Sequence, residues 1–242
     1  MNHISFFSGI GGFDLAAEWA GWRNVAHCEI LRDKREWLTY RFPNSISHED
    51  ITTESFRQYA GWIDIATGGD PCQVSSKIGK REGMEGALYL WPHFFRAIRE
   101  SQPLWVVNEN VDGTISNGIL DRKIADLESI GYTCWPPLVI PASFCGASHR
   151  RDRVWLVAHS IERRLERGNR QAAQRQWETK IRPVTALVEN KNGIIGPKPE
   201  FLTGNDGIPG WVDEVQGYGN AIVPQVAYQI FMAINEFNKS LM

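Results

Sequence analysis

The sequence predicts an α/β protein whose mostly parallel sheet is flanked by helices. Three observations predict it: apolar runs of strand length recur, helix-period segments separate them, and glycine, proline or a polar side chain closes each run. Alternation of this kind favours right-handed strand–helix–strand units. A chain of 242 residues suits one large domain that can bury a core without disulfides.

His3 to Phe7 reads as the first strand, Ser8-Gly9-Ile10-Gly11-Gly12 as a glycine-rich turn, and Phe13 to Ala20 as a helix stopped by Gly21. Such a turn lets backbone amides and a helix N-terminus approach a nucleotide-like ligand. The GxGG spacing lacks the last glycine of the dinucleotide pattern, so a nucleoside-type cofactor is favoured over NAD. The second strand, Asn24 to Cys28, runs into Glu29, 18 residues after Gly11, near the offset at which an acid reaches ribose hydroxyls. Arg32 to Phe42 reads as a helix ended by Pro43, and Asp50-Ile51 precedes the polar connector Thr52 to Ala60.

The apolar run Trp62 to Thr67 is the next strand, cut short by Gly68-Gly69-Asp70-Pro71-Cys72-Gln73. Pro71 fixes its own φ and biases Asp70 away from helix, so Cys72 is carried on a stiff turn at the strand's carboxyl end, where ligands of open α/β sheets collect. A thiol aimed there is a candidate nucleophile, although most cysteines are small buried hydrophobes. Val74 to Gly86 mixes glycine with Lys and Arg, the composition of a loop that closes on a polyanion or of a plain surface loop.

Ala87 to Ser101 fits a helix, and the strand Leu104 to Val107 ends in Asn108-Glu109-Asn110-Val111. A carboxylate at that end serves as a general acid if burial raises its pKa, or as a helix-dipole partner. Gly118 to Gly131 reads as a helix; Thr133 to Ile140 and Arg153 to Ala158 read as strands joined through Phe144 to Arg153. From Ser160 to Glu200 the apolar periodicity fades, and nine Lys and Arg stand against five Glu. That insert suits phosphate contact or a solvated linker. In the tail, Val223, Val226, Ala227, Ile230, Phe231 and Ile234 form one helical stripe that would carry Asn220 toward the cofactor edge. The division expected is a catalytic and cofactor-binding domain over 1–159, a small target-recognition region over 160–205, and a C-terminal segment over 206–242 that returns to the first.

Composition excludes several classes. With 43% hydrophobic and 22% charged residues, disorder and fibrous structure are ruled out for most of the chain. A net charge of −2 argues against an all-over basic nucleic-acid binder while leaving a local basic face possible. The four cysteines, Cys28, Cys72, Cys134 and Cys145, form no CxxC pair and read as reduced thiols. No apolar run approaches about 18 residues, so neither membrane insertion nor export is expected, and a cytoplasmic compartment is. Neither a metal nor an oligomer is required. Ten tryptophans are many, and composition does not choose between packing and stacking roles for them.

These residues together resemble the cytosine-C5 DNA methyltransferase family, in particular its short, phage-type members. Phe7 to Phe13 is similar to the family's first motif, Glu29 to its second, Asp50-Ile51 to its third and Gly69-Asp70-Pro71-Cys72-Gln73 through Ser76 to its nucleophile motif. Leu90 is similar to the fifth, Glu109-Asn110-Val111 to the ENV motif, His149 through Arg153 to the QxRxR motif, and Gly219-Asn220-Ala221 through Pro224 to the final GNxxxP element. The resemblance implies a Rossmann-like S-adenosylmethionine-dependent methyltransferase fold acting on double-stranded DNA. It implies that Cys72 adds to carbon 6 of a flipped-out cytosine, that Glu109 holds ring nitrogen 3, that Arg153 grips the base carbonyl and that Arg151 favours the thiolate. It implies S-adenosylmethionine contacts from Phe7, Gly9, Ile10, Gly12, Glu29, Asp50, Ile51, Leu90 and Asn220, and substrate contacts from Pro71, Gln73, Ser76, Asn110 and Val111. His149 stands where the family usually has Gln, and Asp70 where it often has an apolar residue. The family also contains tRNA methyltransferases, expected to carry a Cys-Phe-Thr element; residues 160–205 contain no cysteine, which favours DNA. A catalytically silent binding protein and a nicotinamide oxidoreductase are the remaining alternatives.

Overall fold

The computed structural model describes residues 1–71, 89–141, 152–160, 178–181 and 222–240. Eight strands form one sheet in the order β3-β2-β1-β4-β5-β8-β6, with β7 also paired to β8. They are β1 (Asn2–Phe6), β2 (Arg23–Cys28), β3 (Ile46–His48), β4 (Ile65–Gly68), β5 (Trp105–Val111), β6 (Tyr132–Cys134), β7 (Leu138–Pro141) and β8 (Asp152–Ser160). The five strands from β3 to β5 are parallel, as predicted. β8 then runs antiparallel to β5, β6 and β7.

Among the described residues the helices that flank the sheet include α1 (Gly12–Trp19), α2 (Arg32–Arg41), α3 (Trp91–Ser101), α4 (Gly113–Ser116), α5 (Ile119–Ser129) and α6 (Pro224–Ser240). Strand alternation divides the core between the two faces. Trp105, Val107, Trp155 and Val157 pack with Phe13 of α1 and with Ile230, Phe231 and Phe237 of α6. Val106, Val154, Leu156 and Ala158 pack with Trp91 and Phe94 of α3 and with Leu120 and Leu127 of α5. The stripe predicted for the tail is the buried face of α6, from Val226 to Ile234. Trp91, Trp105, Trp135 and Trp155 are fully buried, so at least these four tryptophans are packing residues.

Three local expectations are corrected. The run Thr133 to Ile140 is two strands, because Pro136 and Pro137 lack the amides that a continuous ladder needs; β6 and β7 pair with successive parts of β8 on either side of them. Asn108 to Val111 lies inside β5 instead of beyond it, since β8 pairs with the strand as far as Val111↔Arg153. A 3-10 turn at Arg57–Tyr59 lies within the stretch Thr52 to Ala60 that was expected to be a plain connector, and a short strand, β3, stands between α2 and Asp50, where no element was expected. Most of the basic stretch 160–200, together with the loop 74–86, lies outside the described residues.

Strand order reverses between β1 and β4: the chain moves outward through β2 and β3, then returns to lay β4 on the other side of β1. Ligands of such sheets bind in the crevice at the carboxyl ends of the strands there. Phe6 and Gly68 are register partners at that crevice, so the glycine loop after β1 and the turn after β4 leave the sheet side by side.

Candidate active site

One wall of the crevice is the loop after β1. Phe7 turns the chain with φ 53, a left-handed conformation uncommon for an aromatic residue, and its ring meets Phe94 edge-on at 5.9 Å. Gly11 has φ 86, and a Cβ there would lie 2.7 Å from the Phe42 ring and 2.9 Å from Leu38, so both conformation and space demand glycine. Glu29 follows β2. Its Oε2 accepts the Gly9 amide at 2.8 Å and its Oε1 the Leu31 amide at 3.0 Å. The carboxylate is thus fixed beside the loop by two backbone donors. Ile30, next to it, is 58% exposed although apolar.

Asp50 and Ile51 follow β3. Asp50 is half-exposed, and its carboxylate is held below the ordinary range, chiefly by the Thr52 amide at 2.8 Å. Ile51 is buried, and its carbonyl accepts a hydrogen bond from Arg96 of α3, which ties this loop to α3. Leu90 caps the start of α3. Ile10 and Gly12 are buried at the entry to α1, where the Ile10 carbonyl accepts the Trp37 indole N–H at 3.1 Å. Carboxylates at the ends of β2 and β3 with apolar Phe7, Ile30 and Ile51 around them fit a cofactor carrying ribose hydroxyls and an apolar base. Asn220 lies outside the described residues.

The opposite wall is the turn after β4 and the end of β5. Glu109 is buried, with its Oε1 2.6 Å from Arg153 Nε of β8. A Cβ on Gly69 would lie 3.2 Å from Glu109 Oε2, so the carboxyl stands against the turn that leads into Cys72. Burial pushes the Glu109 carboxyl up to about 7; the Arg153 guanidinium opposes the rise, Asp70 adds to it and Lys123 opposes it. Such a carboxyl exchanges its proton near neutral pH. Asn110 is also buried. It donates its amide N–H to the Asp70 carbonyl at 3.1 Å, and its Oδ1 accepts the Val111 amide N–H at 2.9 Å, a brace between turn and strand. Pro71 is exposed. Cys72, Gln73, Ser76, His149 and Arg151 lie outside the described residues.

The structure therefore brings Glu109 and Arg153 together at one end of the crevice, with Asn110 bracing the adjoining turn from the other face of β5, and Phe7, Gly9 and Glu29 at the other end. Sequence reasoning missed Lys123 of α5, which is buried and bonded to Asp70 and Asn108. Its signal was available: Lys123 shares the helical stripe of Leu120 and Leu127, and a lysine on an apolar face implies a buried carboxylate opposite. It also missed Asp14, buried under the glycine loop, where it accepts the Ser5 hydroxyl at 2.9 Å and desolvation lifts its carboxyl to about 7.

Among the described residues no cluster of His, Cys, Asp and Glu could hold a metal, and no helix is long and apolar enough to cross a membrane. The C-5 cytosine-specific DNA methylase family matches residues 1–206. The chain is similar to the Type II methyltransferase M.Eco47II of Escherichia coli, 32% identical over 170 residues, 64% of this chain and 38% of the relative. It is similar to the Type II methyltransferase M.AluI of Cellulosimicrobium cellulans, 30% identical over 227 residues, 86% of this chain and 40% of the relative. The chain thus spans under half the length of these curated relatives. Among solved structures, a prophage-encoded DNA modification methyltransferase of E. coli matches with a TM-score of 0.54 at 28% identity, over 69% of this chain and 49% of that one. The S. pombe Dnmt2 methyltransferase shares the fold, with a TM-score of 0.54 at 16% identity over 74% of this chain and 54% of that one.

Proposed function

The chain belongs to the C-5 cytosine-specific DNA methylase family, and from that premise we propose that it is a DNA (cytosine-5-)-methyltransferase. It takes the methyl group from S-adenosylmethionine and acts on a flipped-out cytosine of double-stranded DNA. The observation that carries this reading is the buried Glu109–Arg153 pair standing against the turn that enters Cys72.

Cytosine carbon 5 is a poor nucleophile, so the ring must first be activated. The Cys72 thiolate forms a bond to carbon 6, and the electron pair of the 5,6 double bond moves into the ring. Glu109, with its carboxyl lifted to about 7, is substantially protonated near neutral pH and delivers that proton to ring nitrogen 3 as charge builds there. Arg153 holds the base carbonyl and keeps the carboxyl oriented. Arg151 favours the thiolate. S-adenosylmethionine, when bound, supplies an electrophilic methyl carbon. Carbon 5 takes the methyl group, the carbon-5 proton leaves to a base, and the carbon–sulfur bond breaks as ring nitrogen 3 returns its proton to Glu109, which restores the aromatic ring and frees Cys72. None of this can occur in a stacked duplex, so the cytosine must leave the helix.

Phe7, Gly9, Ile10, Gly12, Glu29, Asp50, Ile51, Leu90 and Asn220 hold the cofactor, with the Glu29 carboxylate toward the ribose hydroxyls. Pro71, Gln73, Ser76, Asn110 and Val111 frame the base. Residues 160–205 serve as a small target-recognition region whose Lys and Arg contact phosphate, and 206–242 return to the catalytic domain. The test is trapping on duplex DNA containing 5-fluorocytosine, whose fluorine cannot leave as the proton does. With S-adenosylmethionine present, a covalent complex that survives denaturation is expected from the wild type and none from Cys72→Ser. The same amount of complex from both proteins, or none from either, would overturn the assignment.

A further inference from the structure

On β5, Asn108 and Asn110 flank Glu109, and the pleat sends their side chains to the opposite face. There they meet a buried charge pair that the reaction as written does not use. Lys123 Nζ lies 2.6 Å from Asp70 Oδ1 and 2.8 Å from Asn108 Oδ1, and it sits over the Trp91 ring at 5.0 Å. Asn108 Nδ2 donates to Asp70 Oδ1 and to the Gly68 carbonyl, each at 2.8 Å. Asn110 Nδ2 donates to the Asp70 carbonyl. Both members of the ion pair have side chains only 1% exposed.

Three polar groups of the turn are thus gripped: the Gly68 carbonyl, the Asp70 carbonyl and the Asp70 carboxylate. Two charges taken out of water gain little net stability over a well-packed apolar pair, so stability alone is a weak reason for them. What ionic geometry supplies is direction. We propose that Asp70 and Lys123 are positioning residues for methyl transfer: their buried ion pair clamps the Gly68–Pro71 turn onto β5 and so fixes the backbone entering Cys72 against the Glu109 carboxyl. This rests on the reading above that Cys72 and Glu109 carry the reaction.

The clamp also enters the charge environment of Glu109. The charged groups facing that carboxyl among the described residues are Arg153 from β8, Asp70 from the turn and Lys123 from α5. Asp70 favours the protonated carboxyl, whereas Lys123 and Arg153 favour the carboxylate. Removing the two members of the clamp singly therefore pushes Glu109 in opposite directions.

The experiment is the pH profile of single-turnover methyl transfer by the full chain, with S-adenosylmethionine affinity and thermal melting measured on the same samples. Asp70→Asn keeps the size of the side chain and one acceptor oxygen but removes the negative charge that holds Lys123, so the alkaline limb of activity moves to lower pH. Lys123→Met removes the positive charge, and the limb moves to higher pH. Each lowers the plateau rate about 10- to 100-fold through the misplaced turn, with cofactor affinity within about twofold of wild type. The double variant Asp70→Asn/Lys123→Met brings the limb back toward wild type without restoring the rate. Should Lys123→Met fail to fold, the near-isosteric Asp70→Asn carries the test alone. Limbs that stay together, or rates that fall only with the folded fraction, overturn the clamp while leaving the functional reading intact. Wild-type activity that is absent, or insensitive to Glu109→Gln, overturns the functional reading itself.

Discussion

At the β1–β2 end of the crevice, the Glu29 carboxylate is held by two backbone amides and Asp50 is half-exposed. At the β4–β5 end, Asp70, Glu109, Lys123 and most of Arg153 are buried and hold one another. The first end is built from glycine turns and local donors, as suits the cofactor-binding role proposed for it. The second is built from charges that four separate elements bring together, as suits the proposed role of holding reacting groups still. The two ends are therefore expected to fail differently, one in affinity and the other in rate.

The largest effect expected is at the rate end. Glu109→Gln lowers single-turnover methyl transfer by about two to three orders of magnitude and leaves the Kd for S-adenosylmethionine unchanged; a variant that loses cofactor affinity instead would erase the distinction. Next comes Glu29→Gln, which leaves one of the Gly9 and Leu31 amides without its acceptor. It weakens cofactor binding about tenfold by calorimetry, with the rate at saturation within about twofold of wild type.

The pH dependence of stability divides between the ends as well. Glu109 moves from an ordinary 4.5 up to about 7 on folding, and Asp14, beneath the glycine loop, from 3.8 up to about 7. Each native carboxyl binds more protons than its unfolded counterpart across that window. Their favourable contribution is present at the acid side and is lost as pH rises toward about 7. Urea denaturation from pH 5 to pH 8 is expected to read this slope, with Glu109→Gln removing one share and Asp14→Asn the other. The smallest effect is assigned to Asp50→Asn. The half-exposed side chain can still accept the Thr52 amide, so cofactor affinity changes less than about threefold by the same calorimetry.

How much of each end was legible in the sequence follows from the same contrast. Gly9, Gly11 and Gly12, the acid at Glu29 and the pair Asp50-Ile51 are local signals, because a tight turn and a strand-end acid constrain adjacent residues. The turn at Gly68 to Pro71 was legible for that reason too. The partnership of Asp70 with Lys123 was not, since 53 residues separate them and only packing of α5 under β5 brings the charges together. The two-strand break at Pro136-Pro137 was written in the chain, but the apolar residues on both sides masked it. The extension of β5 through Asn110 was hidden because polar residues rarely lie inside a buried strand unless their hydrogen bonds are met, and the sequence does not display those bonds. The antiparallel β8 depends on long-range pairing that alternation of strands and helices cannot foresee.

The most direct test of the account is transfer of labelled methyl from S-adenosylmethionine to unmethylated double-stranded DNA, wild type beside Cys72→Ser and Glu109→Gln, followed by bisulfite sequencing. The account predicts label on cytosine carbon 5 with the wild type, none with Cys72→Ser and slow incorporation with Glu109→Gln. Label incorporated equally by all three proteins, or found anywhere but cytosine carbon 5, would contradict it.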